Sequence, residues 1–247
     1  MKNFFKSTLL PWFTLGAGGI GLALRIWLFS AVDDKGLLPA GHFADIATFV
    51  LTAAVMVVLF LCVQPLSPVG KYSKLFPGSL YRTIGCGLGA LGILFAAVTA
   101  LSSQAGILCV AAFVAGLLAA AALGYVALCR FKGIRPSFVS HAVITVFLML
   151  YTVSQCRVWG SEPQMQHYCF QLLGCIFLML TGYHHTVLDS QKGSRRWFVF
   201  FSQAALFCCC LCFSGENRLF YMGMAAWQAL DLCSLQVKRP RYCQEEA

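Results

Sequence analysis

The sequence predicts an all-α polytopic membrane protein, a bundle of eight transmembrane helices with both termini cytoplasmic. Three observations predict it. Of 247 residues, 59% are hydrophobic and 11% are charged, against about 25% charged in an ordinary soluble domain. Eight apolar runs approach the roughly 20 residues that a helix needs to cross the hydrocarbon core. Lysine and arginine are divided unequally between alternate linkers. The composition excludes a soluble globular enzyme, a coiled coil and a disordered chain.

The spans follow in order, and each break has a chemical reason. Span 1, 9–31, comes after Lys2 and Lys6. Such a start mimics a signal peptide, but the run exceeds an h-region and no Ala-x-Ala site follows, so the span is expected to be retained. Span 2, 43–63, opens after Gly41-His42. Span 3, 80–101, follows a linker punctuated by Pro65, Pro68, Pro77 and Gly78. Ser102-Ser103-Gln104-Ala105-Gly106 separates it from span 4, 107–129, and Pro136-Ser137 opens span 5, 138–156. Span 6 covers 165–183. Spans 7 and 8, 197–213 and 219–236, are divided by Ser214-Gly215-Glu216-Asn217-Arg218. Fusing these two short spans would bury a charged centre in the bilayer, which the bilayer disfavours. The linkers are short, so 1–247 reads as one membrane domain.

Orientation follows from the basic residues of short loops. One side carries fourteen: Lys2, Lys6, Lys71, Lys74, Arg82, Arg130, Lys132, Arg135, Lys192, Arg195, Arg196, Lys238, Arg239 and Arg241. The other carries three, Lys35, Arg157 and Arg218, and Arg25 lies within span 1. The net charge of +9 is therefore a topology signal. Nucleic acid is not an expected partner, because the basic residues are spread over five short segments rather than clustered. The expected surroundings are the bilayer, with a partner membrane subunit as a further expectation.

Several familiar patterns carry no chemistry here. Gly16, Gly18 and Gly21, and then Gly87, Gly89 and Gly92, spell the dinucleotide fingerprint, but both lie within spans with no strand before them. They read as close helix packing, as do Gly85 with Gly89 and Ala112 with Gly116. Spans 1, 3 and 4 are accordingly expected to be buried and tightly packed. None of the 13 cysteines falls in a predicted outer loop, so free apolar thiols are expected rather than a disulfide framework. Cys208, Cys209, Cys210 and Cys212 suggest a soft-metal cluster, yet only Cys208 and Cys212 share a helix face. There is no His-Glu-x-x-His, no nucleophile elbow and no P-loop, so the sequence leans away from an enzyme. No cofactor is expected. Bis-histidine haem is the weaker alternative, with His42 and His167 near one face and His141, His184 and His185 near the other.

Two internal segments match. Arg25-Ile26-Trp27 ends span 1, with His42-Phe43-Ala44 opening span 2. Arg157-Val158-Trp159 ends span 5, with His167-Tyr168-Cys169 opening span 6. A four-plus-four repeat with halves 1–130 and 131–247 would place both pairs alike. Coincidence plus interfacial anchoring of Trp and Arg is the competing account.

Ionisable residues within spans are costly and point to function by default. The candidate binding residues are Arg25, Asp45, Arg157, His167, Gln171, Gln228 and Asp231. Arg25 can snorkel toward Asp45, either as a structural pair or as a ligand- or proton-binding one. Asp231 lies deeper, with Gln228 three residues before it on a neighbouring face. Its expected partners enter from the same side: His141, Arg82 or the His184-His185 pair. Tyr151, Thr152, Ser154, Gln155 and Arg157 give span 5 a polar outer half, to which His167 and Gln171 add a face of span 6.

Ser161-Glu162-Pro163-Gln164 leading into Tyr168-Cys169-Phe170-Gln171-Leu172-Leu173, together with Tyr183-His184-His185 and Asp231-Leu232-Cys233-Ser234-Leu235, is similar to stretches of uncharacterised multi-spanning membrane proteins of Gram-positive bacteria. The resemblance covers most of the chain. It implies a bacterial plasma membrane and nothing about chemistry. The leading functional expectation is a small-molecule transporter or permease-like binding protein. A non-catalytic subunit or assembly factor is the alternative, and a membrane-embedded redox or lipid-modifying protein is the third.

Overall fold

A computed structural model describes residues 9–31, 42–66, 79–103, 106–160, 168–190 and 192–234. Apolar runs form helices, even through the glycine-rich stretches 16–21 and 85–92, because lipid offers the backbone no hydrogen bonds and each segment must satisfy its own. Among the described residues there are eight α-helices: α1 Leu9–Ser30, α2 Phe43–Val63, α3 Leu80–Ser103, α4 Ile107–Phe131, α5 Phe138–Trp159, α6 Cys169–Asp189, α7 Arg195–Leu211 and α8 Arg218–Cys233. One turn of 3-10 helix, Cys212–Ser214, extends α7. Gly215 and Asn217 then separate α7 from α8, so the last apolar segment is two helices.

Six of the helices are long and apolar enough to cross a membrane: α1 to α5, and α7 with its 3-10 extension. This is a helical membrane protein. The other two depart for opposite reasons. α8 has only 16 residues, about 24 Å at 1.5 Å per residue. α6 has 21 residues but carries Gln171, His184, His185 and Asp189.

Helices α3 to α8 follow one another around a closed circuit in which each packs on the next and α8 returns to α3. The α1–α2 hairpin lies outside this circuit, against α7. Successive helices alternate in direction, so the starts of α3, α5 and α7 and the ends of α4, α6 and α8 meet at one end of the bundle. This is the Arg82 end. The Arg25 end is opposite.

The most enclosed helix is α7, with 72% of its spanning stretch buried against 33% for α1 and α4 and 44% for α3. This differs from the sequence expectation for spans 1, 3 and 4. The reason is position: α7 touches α1, α2, α6 and α8, whereas α4 turns Val110, Val114, Leu117 and Leu118 outward. Small residues instead mark local close approaches. A Cβ on Gly223 would fall 2.7 Å from the Leu88 carbonyl oxygen and 2.9 Å from Gly92 Cα, so α3 and α8 touch backbone to backbone. Gly116 of α4 sits as tightly, with Ala97 Cβ 2.5 Å from where its own would be. On α1, Gly18 and Gly21 face Cys210 and Leu211 of α7, while Gly16 faces open space. Only part of each glycine string is therefore packing.

The paired Arg-x-Trp segments have related surroundings. Trp27 meets His42 edge-on at 5.5 Å and Phe43 at 6.4 Å, and Trp159 stacks on Tyr168 at 5.3 Å. Beyond the two hairpins the neighbours differ, since α6 packs on α5 and α7 while α2 packs on α1 and α7.

Candidate functional site: a buried ionic layer

The Arg82 end of the circuit is filled with charge. Asp231, two residues before the end of α8, has 0% exposure. Arg82 Nε, from the first turn of α3, donates to its Oδ1 at 3.0 Å. Arg130 Nη1, from the last turn of α4, donates to the same oxygen. His185 Nε2 of α6 lies 3.2 Å from Oδ2. The two arginines are 1% and 4% exposed, so neither reaches solvent along its stem. Cys86, one turn above Arg82 on α3, is buried within electrostatic range of both arginines and Asp231.

A second carboxylate is tied in through stacked rings. His141 of α5 lies parallel to His185 with ring centroids 4.7 Å apart and planes 8° apart. Its Nδ1 pairs with Asp189 Oδ2 at 2.5 Å. Trp227 covers the neighbourhood of His185 at 5.7 Å, and Phe198 of α7 meets it edge-on at 4.5 Å. Two guanidinium groups, two carboxylates and two imidazoles from five helices thus share one layer, walled by a tryptophan and a phenylalanine.

Local sequence explains each placement. On α4 the buried stripe Ala112, Gly116, Ala119, Leu123, Val126 continues with helical spacing into Arg130. On α6 the buried Leu178, Thr181, His185 and Leu188 do the same. The arginine and the histidine enter the interior because they extend apolar stripes, not because they lie in loops. That continuation was the sequence signal for Arg130, and for Asp189 beside Leu188. Counting Arg130 as a loop charge concealed it.

The candidates named from sequence divide between the two ends. Asp231 is at the centre of the layer, with Arg82 and His185 on it and His141 stacked behind. His184 points elsewhere and stacks on Phe201 at 5.1 Å. Gln228 lies one turn from Asp231, with 0% exposure and no hydrogen-bond partner for either amide atom among the described residues.

At the Arg25 end, Arg25 is 2% exposed and lies over the rings of Phe29 and Phe170, each 5.1 Å from its guanidinium carbon. Asp45 is half-buried within electrostatic range of it. The Gln171 backbone carbonyl accepts from Tyr221 Oη at 3.2 Å, and its side-chain amide lies against Gly215. Arg157 is exposed in the last turn of α5. His167 lies outside the described residues. Arg25, Asp45 and Gln171 thus lie at the same end of the bundle. The structure does not bring them to Asp231.

Among the described residues no group of three His, Cys, Asp or Glu side chains is placed to hold a metal ion. The twelve described cysteines are free thiols. Cys175 Sγ lies 3.4 Å from Tyr221 Oη, and Cys109 Sγ lies 3.6 Å from Ser154 Oγ. No protein-family model, no curated protein and no solved structure matches the chain.

Proposed function

We propose that this protein is a small proton-coupled membrane transporter and that the ionic layer is its coupling site. The observation that carries the reading is the composition of the layer around Asp231. A purely structural pair in a membrane bundle needs one cation and one anion. Here the two arginines already balance Asp231 and Asp189, and two histidines are added. An imidazole can bind and release a proton, which neither arginine can. With both imidazoles neutral the layer is balanced, and each added proton leaves an excess positive charge in a low-dielectric interior, where it is costly. Such a layer is tight when balanced and strained when protonated, and a conformational change that relieved the strain would be coupled to the proton.

Intramembrane carboxylates and histidines in other transport proteins serve as proton relays, which supports the assignment by chemistry alone. The basic loops, read with the positive-inside rule, would put the Arg82 end at the cytoplasmic face of a plasma membrane. The layer would then be the inner gate, and the Arg25 end, with Gln171, Asp45 and the polar half of α5, would receive substrate from outside.

The test is reconstitution into liposomes loaded with a pH-sensitive dye. Amino acids, organic acids, sugars and inorganic cations are added outside in turn. One class is expected to drive proton movement with the wild-type protein, and Asp231→Asn is expected to abolish it while the variant still elutes as a folded, monodisperse species. Proton movement unchanged by Asp231→Asn would remove the coupling role. Silence with every class, together with a protein partner retained in mild detergent, would favour a non-catalytic subunit.

A further inference from the structure

A second polar level lies directly inside the ionic layer, and two observed contact levels fix its register. At the Arg82 end, His185 of α6, Asp231 of α8 and Phe198 of α7 meet. Nearer the Arg25 end, Gly174 of α6, Tyr221 of α8 and Cys208 of α7 meet, with Gly174 in van der Waals reach of both others. Helices α6 and α8 run in the same direction and α7 runs against them. One turn in from the ionic layer, the three helices therefore present Thr181, Gln228 and Ser202 to a common interior. All three have 0% exposure. Beyond it the faces of α6 and α8 turn apolar, with Leu178 and Met224, and on the other side lie His185 and Asp231 of the ionic layer.

This level carries more hydrogen-bonding capacity than the protein uses. Gln228 Oε1 and Nε2 and Ser202 Oγ have no partner among the described residues. Thr181 Oγ1 donates to the Phe177 carbonyl at 2.8 Å, which leaves its lone pairs as acceptors. Buried amides and hydroxyls are satisfied almost without exception, by protein or by bound water. A buried amide with both a donor and an acceptor unused, at the level of buried hydroxyls on the neighbouring helices, is the kind of polar lining that holds water.

We propose that Thr181, Ser202 and Gln228 form a buried water site one turn inside the ionic layer. It hydrates the inward side of the Asp231–His185 pair. The site itself rests on the unpartnered amide and hydroxyl. Its further role, passing protons between the layer and the bundle interior, rests on the transport reading. In that role each water accepts one proton on one side and gives one up on the other, and is itself unchanged. The groups that set the charge next to the site are Asp231 of α8, His185 of α6, Arg82 of α3, Arg130 of α4, and the His141–Asp189 pair of α5 and α6.

Radiolytic hydroxyl labelling with mass-spectrometric readout tests the site without requiring transport. Radicals form from water in place, so a sealed residue is labelled only where water lies against it. Met224, one turn above Gln228 and 0% exposed, is the reporter. In the intact wild-type protein in nanodiscs Met224 is expected to be labelled. Labelling should fall about tenfold when Gln228→Leu and Ser202→Ala are combined, since the Thr181 hydroxyl alone offers fewer partners than a buried water needs. Ser202→Ala alone, which removes one small hydroxyl, should give an intermediate value and guards against misfolding of the double variant. An unlabelled wild-type Met224, or equal labelling in all three proteins, would overturn the site. If the site is labelled but proton flux in liposomes is absent, the transport reading fails and the water site stands.

Discussion

The two ends of the bundle each bury an arginine and solve the problem differently. At the Arg25 end the cation lies between two phenylalanine rings with a half-buried carboxylate nearby. A guanidinium is weakly hydrated and tolerates such a setting, since ring faces supply part of what water withdraws. At the Arg82 end two arginines share one oxygen of a fully buried aspartate, and two further titratable rings are stacked beside it. The first arrangement uses no more groups than burial of one charge requires. The second uses four more, and the transport proposal rests on that surplus.

That contrast can be broken by substitution, and the largest effect is expected at Asp231. Asp231→Ala leaves two guanidinium groups without their shared anion, and loss of one partner of a buried pair costs about 3–5 kcal/mol. Thermal unfolding in detergent, followed by intrinsic fluorescence, should register it as a large fall in midpoint. The close approach of α3 and α8 comes next. Gly223→Ala pushes a methyl group into the Leu88 carbonyl and Gly92 backbone, which cannot rotate away, and should cost about 1–3 kcal/mol by the same assay.

Arg25→Met is expected to be milder. It keeps most of the stem's apolar contact and loses the ring-face attraction, about 1–2 kcal/mol. Asp45→Asn should be nearly silent, at most about 0.5 kcal/mol for a half-solvated charge. A ranking in which Arg25→Met costs as much as Asp231→Ala would abolish the distinction between the ends.

Much of the fold is legible in the sequence because the bilayer imposes one rule on every segment. Gly41-His42, Ser102-Ser103 and Pro136-Ser137 break apolar runs where helices α2, α4 and α5 begin or α3 ends, and the boundaries of α2 coincide with the predicted span. The discrepancies lie where polarity and helix part company. Hydropathy ends span 6 at residue 183, but α6 runs to Asp189, because His185, Leu188 and Asp189 are enclosed by α5, α7 and α8 rather than by water. A residue count along one segment cannot register that shelter.

The same cause governs the site. Asp231 is legible because a carboxylate inside an apolar run has no ordinary explanation, and Arg82 and His185 follow as charges entering from the same side. Arg130 and Asp189 are hidden, because both occur at helix ends where charge is expected to meet solvent. That His141 stacks on His185, and that Gln228 and Ser202 are both fully enclosed, depends on how the helices are arranged around one another.

The central claim is that the layer handles protons and is not merely an anchor for the helices. The most direct measurement combines stability and substrate-driven proton movement in one variant carrying Arg82→Leu, Arg130→Leu, Asp231→Leu and Asp189→Leu, which removes two cations and two anions together. Replacing a whole buried ionic group with apolar side chains is often neutral or stabilising, so the account predicts a folded protein with unfolding close to wild type and no substrate-driven proton movement. A folded variant of this kind that still moves protons at the wild-type rate would contradict it.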